Sequence, residues 1–164
     1  MNSLVVYYSF SGNTRQVARI LQEYLAADGS CQLAELQPLD EPRSFFRRGQ
    51  RAFWRRRAVL APTVTDLAGF DQICLGTPVW AFGPAPAMTA YLDLCTGLAG
   101  KPVTLFTTHG GGLGNGRCLE YLRRQCAAQS AGSIRAFSIS QFKAGDREFI
   151  LTAIRKAFQQ GAAA

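Results

Sequence analysis

The sequence has a single histidine, five cysteines without any CxxC pair, and no apolar run that approaches the roughly 20 residues needed to span a bilayer. One histidine and scattered cysteines leave little scope for a zinc site, so we predict no metal. The N-terminus lacks the basic segment of a signal peptide. We therefore expect a soluble, cytoplasmic protein whose cysteines are small buried hydrophobes in a reducing compartment.

Charged residues are also scarce, at 18%, whereas hydrophobic residues make up 48% of the 164 positions. This composition supports a packed core and excludes a disordered chain. The length fits one compact domain, and no linker or internal repeat divides it, so we assign residues 1–164 to a single domain. Because no nucleophile–base pair or carboxylate dyad is evident, we predict no catalytic side chain.

Apolar runs alternate with helical patterns along the chain, which is typical of strands and helices around a parallel sheet. In the first predicted helix, apolar residues recur at helical spacing from Val17 to Leu25. Five strands separated by helices indicate an α/β, doubly wound parallel sheet, which binds ligands at the carboxyl ends of its strands. The predicted strands are Ser3–Tyr8, Cys31–Leu36, Phe70–Gly76, Pro102–Thr107 and Ser133–Ser140.

The loop after the first strand places hydroxyl side chains, a glycine and an asparagine directly before a helix. Its backbone can wrap closely around an anion, and its amide groups converge where the helix dipole favours negative charge. An ordinary N-cap would need only one such residue, at Ser11 or Asn13. We therefore predict a phosphate site formed by Ser9, Ser11, Gly12, Asn13 and Thr14.

The loop after the third strand is rich in aromatic residues. Such a loop, between a buried strand and a helix, can supply a flat apolar wall for a planar ring. The alternative is that Trp80 and Phe82 pack onto neighbouring helices. Val79 and Trp80 are the best candidates for ligand contact, and the full candidate set is Thr77, Pro78, Val79, Trp80 and Phe82.

The loop after the fourth strand contains three consecutive glycines. These permit a close approach of the backbone to a ligand and leave the amides unobstructed. The lone histidine, His109, either tunes the ligand or donates a proton, or it simply faces solvent. The candidate ligand contacts in this loop are Thr108, His109, Gly110, Gly111 and Gly112.

Two of these loops resemble those of the flavodoxin-like family. SFSGNT, at 9–14, resembles its phosphate-binding loop, S/T-x-S/T-G-N-T, and LGTPVWAFGPAPAM, at 75–88, resembles a segment that lines the flavin in flavodoxin-like and quinone reductase-like flavoproteins. The resemblance extends from Leu4 to about Phe158. It implies a short-chain flavodoxin-like fold with strand order 2-1-3-4-5. It also implies FMN as the cofactor, with the phosphate on the first loop and the isoalloxazine ring against the other two.

Three functions are compatible with this resemblance. The leading one is an FMN-binding electron-transfer flavoprotein. The second is an NAD(P)H-dependent FMN or quinone reductase on the same scaffold. The third is a binding module without flavin. The first and second loops argue against it, because a protein that has lost its flavin has no physical need of them.

The net charge of +7 is concentrated, since seven of the fifteen arginines lie between Arg43 and Arg57. On a helix, Arg47, Arg51 and Arg55 would form one row beside an aromatic stripe. The arginines are either solvated on a helix docked to the sheet, or they form a patch for an acidic redox partner, an anionic membrane surface or a second subunit of a homodimer. No recognised motif accompanies them, so we do not predict nucleic-acid binding.

Overall fold

The computed structural model describes residues 1–39 and 58–160. Five parallel strands within these residues form one sheet, and a two-residue strand, β4, pairs antiparallel with β3. The order across the sheet is β2-β1-β3-β5-β6, which without β4 is the predicted order 2-1-3-4-5. The strands are β1 (Asn2–Tyr7), β2 (Ser30–Glu35), β3 (Gln72–Trp80), β4 (Gly83–Pro84), β5 (Val103–His109) and β6 (Ile134–Ser140).

Four helices of the described residues cover the two faces of the sheet. α1 (Asn13–Ala26) and α4 (Arg147–Gln160) pack on one face, and α2 (Pro86–Leu94) and α3 (Asn115–Ala128) pack on the other. Side chains of β1 alternate between the two resulting cores, and its last five residues are all buried. Burial on both faces explains the unbroken apolar run of this strand. The predicted doubly wound sheet is therefore confirmed.

The register of the strands brings three loops to one edge of the sheet. Tyr7, at the end of β1, is aligned with Gly76 of β3, and Pro78 of β3 is aligned with Thr108 of β5. The loops that follow β1, β3 and β5 therefore leave the sheet side by side. This is the carboxyl edge, where ligands bind to sheets of this kind.

The strand boundaries lie within two residues of the prediction, except for the end of β3. β3 does not end at Gly76 but continues to Trp80, because the chain keeps pairing with β5 as far as Pro78 and then folds back as β4. The chain is predicted to be helical over Cys118–Ala128, whereas α3 begins three residues earlier, at Asn115. The basic helix predicted at about 43–58 lies almost wholly outside the described residues. Among the helices that are described, none has the length and apolar character needed to cross a membrane.

All five cysteines are free thiols. Cys74, Cys95, Cys118 and Cys126 are buried, as predicted, whereas Cys31 on the edge strand β2 is only half-buried. Burial raises the pKa of the Cys74, Cys118 and Cys126 thiols to about 12. These thiols therefore stay protonated near neutral pH and behave as small hydrophobic side chains.

Candidate functional site

The first loop reaches α1 through a left-handed glycine. Gly12 has a φ of 92° and an added Cβ would meet no atom within 4 Å, so the space above it is open. The Ser9 hydroxyl accepts a hydrogen bond from the Arg15 amide at 3.1 Å. Ser9 therefore caps the helix start, and the Ser11 and Asn13 side chains are left without a hydrogen bond to any described residue.

The amide groups of residues 11–14 donate no hydrogen bond to any atom in the described part of the chain. Four consecutive donors of this kind, at the amino end of a 14-residue helix, concentrate positive potential there. An anion placed there would satisfy donors that the fold leaves unpaired. The first loop has the chemistry of a phosphate site.

The first turn of α1 is tied to β2 by an ion pair that sequence reasoning missed. The Arg15 guanidinium donates from two nitrogens to the Glu35 carboxylate, with Nη2 at 2.5 Å from Oε1 and Nε at 3.1 Å from Oε2. The Tyr7 hydroxyl donates to the same carboxylate at 3.1 Å. Burial, and then the Glu35 charge, raise the pKa of Tyr7, so this hydroxyl keeps its proton and remains a donor.

A buried hydroxyl pair joins the first loop to the strand before the third loop. The Thr14 and Thr108 hydroxyls lie 2.8 Å apart and both residues are buried. Each hydroxyl is thereby engaged in a structural contact. These two predicted site residues fix the distance between the first and third loops.

The second loop is a tight hairpin between β3 and β4. Its two central residues, Ala81 and Phe82, have φ angles of 41° and 71°, a left-handed backbone that side chains rarely adopt. The buried Thr77 hydroxyl accepts from the Ala85 amide at 3.0 Å and donates to the Pro78 carbonyl at 3.1 Å. Thr77 therefore closes the base of the hairpin and holds its strained tip in place.

The aromatic side chains of the hairpin do not share one environment. Trp80 is half-buried and meets the rings of Tyr8 and Phe10 edge-on, at centroid distances of 5.6 and 5.8 Å. Phe82 is 47% exposed and lies against the start of α3, where the Arg117 guanidinium is 5.8 Å from its ring. Packing onto a helix thus describes Phe82, whereas Trp80 faces the first loop.

The third loop presents a second row of unpaired donors. The amides of residues 110–114 donate to no atom of the residues described. His109 ends β5 and its Nδ1 is buried without a hydrogen-bond partner. Gly110, Gly111 and Gly112 are exposed, and an added Cβ on Gly111 would meet nothing within 4 Å. This loop therefore offers amide donors and an imidazole nitrogen beside open space.

The structure thus brings all of the predicted site residues to one edge of the sheet, on three adjacent loops. Ser9, Thr14, Thr77 and Thr108 make contacts that shape the loops. Arg15, Glu35, Tyr8 and Phe10 are additional residues of the site that were not predicted. Their only sequence signal is position, since they lie within or beside the first loop or end the neighbouring strand.

The family model of NADPH-dependent FMN reductases matches residues 1–144. Among solved structures, a candidate flavoprotein from Bacteroides uniformis ATCC 8492 is similar at TM-score 0.71 and 23% identity, over 94% of this chain and 97% of that chain. A flavoprotein from Lactobacillus acidophilus NCFM, in complex with FMN, has TM-score 0.60 and 18% identity over 89% and 97% of the two chains. Oxidised flavodoxin 2 from Bacillus cereus has TM-score 0.63 and 19% identity over 95% and 99%.

The low identities mean that the solved structures show the fold, which is flavodoxin-like as the loop resemblance implied. The family model adds more, because it covers most of the chain and includes all three loops. The chain belongs to the NADPH-dependent FMN reductase family and is a flavodoxin-like flavoprotein with FMN as its cofactor.

Proposed function

We propose that the three loops hold FMN and that the protein passes electrons through it, with NAD(P)H as the electron donor. The observation that carries this proposal is the pair of amide rows, 11–14 and 110–114, that have no partner among the described residues and lie on either side of the Trp80 hairpin. FMN has an anionic end and a planar end rimmed with hydrogen-bond acceptors. Two rows of donors separated by an aromatic hairpin match these two ends.

The first loop would hold the phosphate. The space above Gly12 is open, and the Ser11 and Asn13 side chains, which bond to no described residue, are available as further donors. The Arg15–Glu35 pair and the Ser9 cap hold the helix start in the conformation that presents these donors. Because the cradle is formed before the ligand arrives, little ordering opposes binding.

The second and third loops would hold the ring. When bound, FMN supplies the redox chemistry, since it accepts a hydride or single electrons. Val79 and Trp80 provide an apolar wall, and the edge-on contacts of Trp80 with Tyr8 and Phe10 fix the orientation of that wall. The amides of the third loop donate to acceptors on the ring, and His109 Nδ1 is available for one further hydrogen bond.

The family match favours a reductase that takes electrons from a nicotinamide nucleotide. The second candidate is an electron carrier that exchanges electrons with partner proteins, and the flavodoxin-like fold favours it. A binding module without flavin would have no use for the two rows of unpaired donors. We propose the cytoplasm as the compartment, because all five cysteines are free.

The test is a sequence of two measurements on the purified protein. Apoprotein is first titrated with FMN while flavin fluorescence is recorded, and stoichiometric uptake is expected. NADPH and a quinone are then added to the holoprotein without any other protein. Sustained NADPH oxidation is expected of a reductase. Flavin that is loaded but shows no turnover would instead support the carrier, and failure to take up FMN would contradict the proposal as a whole.

We further propose that the basic segment 43–57, with Arg47, Arg51 and Arg55, docks an acidic redox partner. This segment lies wholly outside the described residues, and its charge supports the proposal. Electrostatic docking of this kind weakens as salt increases, because the Debye length shortens. The rate of electron transfer to an acidic acceptor protein should therefore fall with ionic strength, and a rate independent of salt would contradict this docking.

A further inference from the structure

A second cavity lies at the opposite end of β6 from the three loops. Its volume is about 380 Å³, and it opens at the free edge of the sheet, where β6 is the last strand. Residues of α3, β6 and α4 line it, including Arg123, Ile134, Arg135, Ala157 and Gln160. None of these residues belongs to the proposed FMN site.

Two arginines in this cavity have no counter-ion among residues 1–39 and 58–160. Arg123 donates from Nη1 to the Ile134 carbonyl at 2.9 Å, and the Arg135 guanidinium lies 4.3 Å from the centroid of the Phe158 ring. Neither pairs with a carboxylate of the described residues. The Arg135 Nε is buried and has no hydrogen-bond partner. The fold thus holds a donor out of water without satisfying it.

A partly buried guanidinium without a carboxylate partner carries an unbalanced positive charge, and an oxyanion is the group that pairs with it best. The guanidinium fork matches the geometry of carboxylate and phosphate oxygens. The cavity volume lies within the range of roughly 300–1,000 Å³ that is typical of small-molecule sites. Ile134, Ala136 and Ala157 make part of the wall apolar, so a ligand that fills the cavity needs an apolar part.

We propose that this cavity binds a small organic anion, whose carboxylate or phosphate group lies against Arg135 and Arg123 and whose apolar part packs on Ile134 and Ala157. The site is separate from the flavin and does not depend on the proposed function. Because the cavity is built from α3, α4 and β6, a bound anion joins three elements at the free edge. Binding to the folded state alone also raises thermal stability.

The experiment uses the holoprotein, so that FMN already fills the phosphate site of the first loop. Calorimetric titrations are run with phenyl phosphate, benzoate, inorganic phosphate and neutral benzyl alcohol. We expect at least one of the two organic anions to bind, and the comparison of phenyl phosphate with benzoate identifies the preferred head group. Benzyl alcohol should not bind, and inorganic phosphate should bind more weakly than the preferred organic anion. Binding by neither organic anion, or equal binding of benzyl alcohol, would overturn the proposal.

Arg135→Met should raise the dissociation constant of the preferred anion roughly tenfold or more, because it removes charge-assisted hydrogen bonds. The matched control is Arg155→Met, an exposed arginine on the same helix as Gln160 that does not line the cavity. Arg155→Met should bind the preferred anion with the same dissociation constant as the unmodified protein. The visible flavin spectrum reports folding, and Arg123→Gln serves as a second variant if Arg135→Met does not fold. Unchanged affinity in the folded variant would contradict the site.

Discussion

Gly12→Ala tests how strictly the first loop depends on its left-handed backbone. Gly12 has a φ of 92°, and an added Cβ would meet nothing within 4 Å. The substitution therefore introduces backbone strain without a steric clash. A side chain in the left-handed region costs about 1–2 kcal/mol. The apoprotein can escape this cost by relaxing the loop to a negative φ.

FMN binding would then have to restore the left-handed backbone and so realign the amides of residues 11–14. The same free energy appears as a rise in the FMN dissociation constant of roughly 5- to 30-fold. Fluorescence titration of apoprotein with FMN measures it. Gly69→Ala is the matched control, since its surroundings are equally open and its φ is not in the left-handed region. The reasoning is refuted when Gly12→Ala binds FMN as tightly as the unmodified protein, or when the control loses as much affinity.

Three further predictions concern the supports of the site and the buried thiols. Glu35→Gln removes the charged partner of Arg15, so it should lower the free energy of unfolding by about 0.5–1 kcal/mol and weaken FMN binding roughly two- to fivefold. Denaturation and FMN titration measure these two effects, and the absence of both would contradict the role of Glu35. Trp80→Leu removes two edge-on ring contacts and the aromatic part of the wall proposed for the flavin ring, so FMN affinity should fall roughly tenfold and the flavin absorbance should shift. An unaltered spectrum and affinity would exclude Trp80 from the ring site. The free energy of unfolding should decrease as pH rises from 9 towards 12, because the Cys74 thiol ionises at its ordinary pKa of 9.0 in the unfolded chain but only near 12 in the folded one. Urea denaturation of Cys74→Ala should show a shallower decrease over this pH range than the unmodified protein does.

The sheet and its carboxyl-edge loops could be predicted because local patterns determine them. The alternation of apolar runs with helical spacing gives the strands and helices, and right-handed crossovers leave few ways to arrange them. The glycine and hydroxyl content of the first loop indicates an anion site without any knowledge of distant residues. These inferences concern segments that are contiguous in sequence.

The supports of the site could not be predicted in the same way. Arg15 and Glu35 are 20 residues apart, and their pairing depends on the register that aligns Tyr7 with Glu35. The environment of Trp80 depends on β3 running past Gly76 and turning back at Ala81, a turn that lacks the usual glycine at its two central positions. The cavity at Arg135 arises from three elements that meet only after folding.

The most direct test of the central claim compares FMN with riboflavin, which has the same ring but no phosphate. If the unpaired amides of residues 11–14 hold the phosphate, several charge-assisted hydrogen bonds are lost with riboflavin, each worth about 1.5–3 kcal/mol. Titration of the apoprotein should therefore give a riboflavin dissociation constant at least roughly 100-fold higher than that of FMN. Equal affinities for the two flavins would contradict a phosphate site in the first loop.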